Sequence, residues 1–233
     1  LGNILKTHYL AEEKGAEMRW FLVGVATLSV VLAGCTTGPK AVVSVAPGAP
    51  VEQPTGWRAT ATSDDQLRID GLTGRMQRML AAVPAGLRAR VTAEGPLLEP
   101  AAGLDAPALS PGSYQCRLVR VGGRRGVTSY KSDFCYIAVV DGKQSFTKQT
   151  GTQLPGGWLF DDENGKRLIF LGTLRPQQAG SAPPYGQVRQ RDVAAVIERI
   201  APFRWRMALV KNDGQGDQML DIYELIPVVN GSS

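Results

Sequence analysis

Asp141-Gly142, set between the strand-like runs "DFCYIAVV" and "KQSFTKQ", constrains this chain more than any other feature. A two-residue hairpin turn places its central residues at positive φ, which Asp and Gly tolerate, so this pair is a strong hairpin signal. The pattern recurs along the second half of the chain. "SYQCRLVRV" alternates, with Tyr114, Cys116 and Leu118 on one face. "GGWLF" and "KRLIFLG" flank "DDENG", and "FRWRMALV" and "QMLDIYELI" flank "KNDGQGD". "RDVAAVIERI" reads differently: Val193, Val196, Ile197 and Ile200 fall on one helical face, and Pro202 follows. The expectation is an α+β fold, mostly antiparallel β. About seven strands curl into a small barrel or a strongly twisted sheet, because an open edge invites aggregation. One helix precedes the strands and one is inserted near the end.

The preceding helix starts near Ser63, which with Gln66 fits a capping box, and Asp64 and Asp65 sit where the helix dipole favours negative charge. Ile69, Leu72, Met76, Met79, Leu80 and Val83 follow at spacings of three and four, a stripe that reads as core. Pro84 ends it. Gly71 and Gly74 weaken it by about 1 kcal/mol each.

Upstream the chain changes character. It begins at Leu1, and Met18 reads as the better start, leaving 1–17 as an extension outside the mature protein. Arg19 precedes an uncharged run from Trp20 to Val31, too short for the roughly 20 residues of a membrane span but suited to a signal-peptide core. The run stops at Leu32-Ala33-Gly34-Cys35, which resembles the lipobox of bacterial lipoproteins. That resemblance implies cleavage before Cys35, diacylglycerol on its thiol and an acylated new terminus, with 18–34 as the signal peptide. Each buried CH2 is worth about 0.8 kcal/mol, so two or three chains anchor stably. Thr36, where a retention signal such as Asp would stand, points to outer-membrane delivery. Residues 35–56 are then a lipid-attached tether, its Pro, Gly and small residues reaching about 25 Å as a random coil. One globular domain follows over 57–229, long enough for a single core.

With Cys35 lipidated, Cys116 and Cys135 remain, an even number in a compartment that permits disulfides. If 114–121 and 130–137 form a hairpin around "GGRRGVTS", the two cysteines fall directly opposite each other and Tyr114 opposes Ile137. The competing reading is two free thiols.

The single histidine, His8, lies upstream of the cleavage site. The mature domain therefore lacks Ser-His-Asp and Cys-His catalysis and His-based metal sites. No P-loop, GxSxG or GxGxxG is present, and no cofactor or metal is expected. Carboxylates remain: Asp161, Asp162 and Glu163, and Asp213 and Asp217, sit in turns that could hold calcium, although such turns are acidic for backbone reasons alone. Arg120, Arg124 and Arg125 read as a basic hairpin tip, able to touch an anionic lipid or polymer or simply solvated. Nucleic acid is not expected outside the cytoplasm.

Several segments stand together: "WRATATSDD" (57–65), "PGSYQCRLVRVG" (111–122), "FTKQTGTQLPGGWLF" (146–160), "LIFLGTL" (168–174), "RDVAAVIERIAPFRWRMAL" (191–209) and "LDIYELIPV". Over 57–229 they resemble a bacterial domain-of-unknown-function family, number four-eight-nine-three. The resemblance brings no catalytic residue. In "FTKQTGTQLPGG", Lys148, Thr150, Gly151 and Gln153 form a shaped loop, readable as a turn or as a binding site. The expected function is a lipid-anchored periplasmic protein that binds or interacts without catalysing, its partners membrane lipid through Cys35 and an envelope protein or small ligand. The alternatives are a protease inhibitor or small-ligand carrier, and a His-free carboxylate hydrolase. A barrel cavity lined by Trp158, Phe170 and Tyr223 would favour a carrier, and a filled barrel an interaction surface.

Overall fold

Eight antiparallel strands close into an up-and-down barrel in which each strand pairs with the next and β8 returns to β1. They are β1 (Gly112–Gly122), β2 (Val127–Val140), β3 (Lys143–Lys148), β4 (Pro155–Asp161), β5 (Leu168–Leu174), β6 (Asp192–Ala201), β7 (Arg204–Lys211) and β8 (Met219–Pro227). Four short helices precede them: α1 (Gly56–Thr60), α2 (Ser63–Asp70), α3 (Leu72–Ala81) and α4 (Arg88–Glu94). This computed structural model describes residues 56–176, 182–211 and 219–228. Cys35 with its signal segment, the 1–17 extension, the tether up to residue 55, and Asp213 and Asp217 lie outside the described residues.

The strand beyond the seven expected is β6, the segment expected as an inserted helix. Val193, Ala195 and Ile197 point into the barrel with Phe170, Met207 and Leu225, while Ala194, Val196 and Ile200 point outward beneath the helices. A strand buried on both faces is apolar throughout, and such a run satisfies a helical period as readily as a strand. β6 pairs with β5 and β7 along its length, which no helix could do.

Two layers of core result. The barrel interior takes side chains from all eight strands, and Phe146 packs edge-on to Phe170 at 5.6 Å. The outer face of β1 and β5–β8 is covered by Trp57, Ile69, Leu72, Met76, Met79 and Val83, so the Met stripe is core. The expected long helix is two, α2 and α3, meeting at Gly71. Its cap is Thr62, one residue earlier than expected: Thr62 Oγ1 accepts the Asp65 N–H at 3.3 Å. Gln66 instead donates to the Arg58 and Ala61 carbonyls.

Cys116 and Cys135 form a disulfide with their Cα atoms 5.9 Å apart. They are not directly opposite. Cys116 pairs with Asp133, Tyr114 with Cys135, and Gly112 rather than Tyr114 opposes Ile137. The turn is centred on Arg124, with Val121 opposite Val127, and the irregularity between Arg117 and Val119 returns one residue, so a count that centres the turn between Arg125 and Gly126 lands two residues off at the cysteines. The bridge spans a diagonal of the ladder.

One end of the barrel is plugged. Leu109 enters the interior cluster, Trp205 Nε1 donates to the Pro107 carbonyl at 2.9 Å, and the Tyr114 hydroxyl donates to the Ser110 carbonyl at 2.8 Å. The other end, where β3 runs into the 149–154 loop, is left open by the described residues.

Candidate functional site

At the open end, inward positions that would continue the apolar core turn polar. Lys148 follows Phe146 by two residues on β3 and is 2% exposed. A buried ammonium requires compensation, and two neighbours supply it: Asp133 Oδ2 at 2.6 Å and the Thr150 carbonyl at 2.6 Å. Arg120, opposite Asp221 in the β1–β8 ladder, grips that carboxylate with two bonds, Nε–Oδ1 at 2.5 Å and Nη2–Oδ2 at 2.8 Å. The bond to Asp221 holds the Arg120 guanidinium above its ordinary pKa despite its partial burial. Tyr223, 1% exposed, lies between the two pairs with its ring 5.8 Å from Lys148 Nζ. Burial, and after it the charges of Asp221 and Asp133, push its phenol well up, so it stays a neutral donor.

Lys148, Asp133, Arg120 and Tyr223, with Leu118, Tyr130, Thr152 and Gln153, line a cup of about 190 Å³, and Asp221 backs it through Arg120. The loop over it is shaped by Gly151. Its φ is +87°, and a Cβ there would strike both Asp133 Oδ2 and Lys148 Nζ, so only glycine lets the backbone pass this close. Thr150 fixes the loop from beneath, accepting the Phe134 N–H at 2.9 Å and donating to Asp133 Oδ1 at 3.2 Å.

The sequence loop "FTKQTGTQLPGG" thus brings Lys148 and Gln153 to one cup, with Thr150 supporting it. Arg124 and Arg125 are exposed at the β1–β2 turn and do not line it. Arg120, grouped with that tip by sequence proximity, instead points inward. Asp133, Tyr130 and Asp221 escaped sequence reasoning. For Asp133 and Asp221 the signal is parity, since they continue the inward alternations of Cys135–Ile137 and Tyr223–Leu225; Tyr130 has the opposite parity to Asp133 and joins them through the irregularity in the β1–β2 ladder.

The three residues whose shared cavity would favour a carrier, Trp158, Phe170 and Tyr223, do not line one cavity among the described residues. Phe170 is sealed in the filled interior, Tyr223 lines the cup, and Trp158 stands outside the barrel, 42% exposed. The acidic turn after β4 is occupied by its own cations and donors: Asp162 accepts from Trp57 Nε1 and Arg167 Nε, and Glu163 from Arg58.

A second feature lies on the outer wall. α1 packs against β4 and Val127 of β2 joins the helix-covered cluster, but Phe134 (50% exposed), Tyr136 (41%), Val140 and Trp158 face outward on β2 and β4 beyond the helices. The ladder sets Trp158 beside Ser145, itself beside Ala138, with Tyr136 beside Thr147. An adjoining groove of about 420 Å³ is lined by Thr60, Val140, Lys143, Trp158 and Phe160.

Residues 57–225 match the model of a family described as a domain of unknown function, DUF4893. No curated protein matches the chain. Among solved structures it is similar to a protein of unknown function from the DUF3598 family of Nostoc punctiforme, at 15% identity and a TM-score of 0.33. That likeness covers 55% of this chain and 51% of the other.

Proposed function

This chain belongs to the DUF4893 family, which assigns it no activity, and from that premise we propose that it is a lipid-anchored envelope protein whose barrel is a non-catalytic docking platform for another envelope protein. The observation that carries this reading is the aromatic patch on the β2–β4 wall, beyond the reach of the helices. Aromatic side chains there remain 41–50% exposed while the wall of β1 and β5–β8 is packed under helices. Tyr, Trp and Phe are the residues that anchor protein interfaces, and Phe134, Tyr136 and Trp158 offer three on one sheet face. On this reading the lipobox-like Leu32–Cys35 supplies the anchor and the tether the reach, so that the wall works in the periplasm, with the outer membrane preferred by Thr36.

The filled interior weighs against a carrier that swallows an apolar ligand, because Phe146, Phe170, Met207 and Leu225 occupy the space it would need. Asp133 lines the cup while Asp221 lies behind Arg120, and each is held by a cation, which weighs against a carboxylate-pair hydrolase.

Site-specific photo-crosslinking in the native host tests the reading. A benzophenone side chain at Trp158 or Tyr136 is expected to give a discrete protein adduct, and one at exposed Arg78 on α3 is not. Equal adducts at all three positions, or none, overturn it. Mass analysis of the native protein tests the anchor: the mature chain should begin at a diacylglyceryl Cys35.

A further inference from the structure

We propose that the cup at the open end of the barrel binds a small zwitterion, an α-amino acid in size and charge. The proposal stands on different residues from the docking wall and does not depend on it.

The site is built. Lys148 and Tyr223 are almost wholly buried, and Gly151 holds the loop against them. Its donors exceed its acceptors. Lys148 Nζ carries three N–H groups and spends two, on Asp133 and Thr150. Arg120 spends Nε and Nη2 on Asp221, leaving Nη1 with no partner among the described residues. The Tyr223 hydroxyl has none among them either, although its ring is buried. Tyr223 lines the cup, so its hydroxyl is free to donate to a molecule held there. Three donors converging from β1, β3 and β8 are complementary to a carboxylate.

Charge decides what the carboxylate belongs to. Among the described residues, Lys148 pairs with Asp133 and Arg120 with Asp221, so these four side chains bring no net positive charge to hold a phosphate dianion. A molecule carrying its own ammonium leaves that balance undisturbed. The ammonium has a place: the Asp133 carboxylate is 29% exposed on the rim, beside the half-exposed ring of Tyr130. Carboxylate and aromatic face together are a usual setting for a cation. The volume of about 190 Å³ sets the size. It falls below the roughly 300–1,000 Å³ of drug-sized sites.

Calorimetric titration of the purified full-length protein tests this, with the twenty L-amino acids, glycine and D-alanine as probes and acetate and methylammonium as half-ligands. At least one amino acid is expected to bind saturably at one site per chain, ten times or more tighter than either half-ligand. Tyr223→Phe is expected to weaken that binding at least tenfold while shifting Tm by no more than a few degrees, since it removes only an unpartnered hydroxyl. Lys148→Met is the severer variant, and Tyr223→Phe keeps the test alive should Lys148→Met fail to fold. Absence of saturable binding across the panel overturns the proposal. So does acetate binding as tightly as the best amino acid, or Tyr223→Phe binding like the wild type.

Discussion

Trp57 donates its indole N–H to Asp162 Oδ1 at 2.9 Å, tying the first helix to the β4–β5 turn across 105 residues of sequence. The carboxylate is buried, and its other oxygen takes Arg167 Nε at 2.6 Å. Trp57→Phe keeps the ring burial in large part and removes the donor. A buried carboxylate deprived of one partner costs about 1–3 kcal/mol. Urea denaturation should show a lower midpoint with an unchanged slope; an unaltered midpoint would mean that water replaces the indole.

The Cys116–Cys135 bridge joins residues 19 apart on adjacent strands. Chain-entropy reasoning gives a bridge of this span about 3 kcal/mol. The double replacement Cys116→Ala, Cys135→Ala should lose about that much, plus a cavity contribution, since both side chains are wholly buried. Thiol titration of the unfolded, unreduced wild-type domain should find neither cysteine free.

Gly157 and Gly172 face each other across β4 and β5 on inward positions. A Cβ on Gly172 would overlap the Gly156 carbonyl and the Phe170 ring, and one on Gly157 the backbone of Leu171 and Gly172. Overpacking of this kind costs about 1–3 kcal/mol or more, because backbone must move. Gly172→Ala should therefore destabilise, whereas Gly86→Ala, with open space around it, should not. A thermal melt comparing the two variants decides the point.

Tyr185 donates to Asp65 Oδ2 at 2.5 Å, and its pKa is pushed up to about 12 by burial and then by that bond. A folded-state value above the unfolded one near 10 means the folded chain holds its proton longer. This stabilisation is fully present below about pH 10 and is lost as pH climbs towards 12. Tyr185→Phe should be less stable at pH 7 and show a shallower alkaline decline between those limits, measured by Tm against pH. Parallel alkaline slopes for the two proteins would contradict the assignment.

Asp192 opens β6 with Oδ1 accepting the Gly186 N–H at 3.0 Å and Oδ2 buried without a partner among the described residues. Burial raises its pKa; the Gly186 bond and Arg189 pull it back, and Asp65 adds a smaller upward push. The raised value favours the folded state below the unfolded pKa near 4, an advantage that disappears as pH rises through the folded value. An asparagine in its place does not ionise, so the stability of Asp192→Asn relative to wild type should improve from about pH 3 to pH 7. A difference that stays level across that range would refute it.

How much of this was legible beforehand depends on where each residue's partner lies. Hairpins were legible because Asp141-Gly142 and its neighbours carry their own turn chemistry. β6 was misread because Val193, Val196, Ile197 and Ile200 fit a helical face, and the burial of Ala194 and Ala195 on opposite sides emerges only once helices cover the barrel. The Cys116–Cys135 pair was found despite a wrong register, since the turn centres on Arg124 and not between Arg125 and Gly126, and a diagonal still permits a bridge. Lys148 stood out in its loop, but Asp133 and Asp221 come from other strands and join it only when the barrel closes.

That closure has a consequence for the order in which the chain is made. Seven of the eight strand pairings join neighbours in sequence, and one, β1 with β8, joins the first strand made to the last. Until residues 219–227 emerge, the barrel is an open ribbon with a raw edge. Arg117 and Arg120 wait as well, because Glu224 and Asp221 both arrive on that final strand. A premature stop before residue 219 would therefore do more than shorten the protein: it would leave two guanidiniums without those carboxylates and an unpaired β1 edge for another unfinished chain to find.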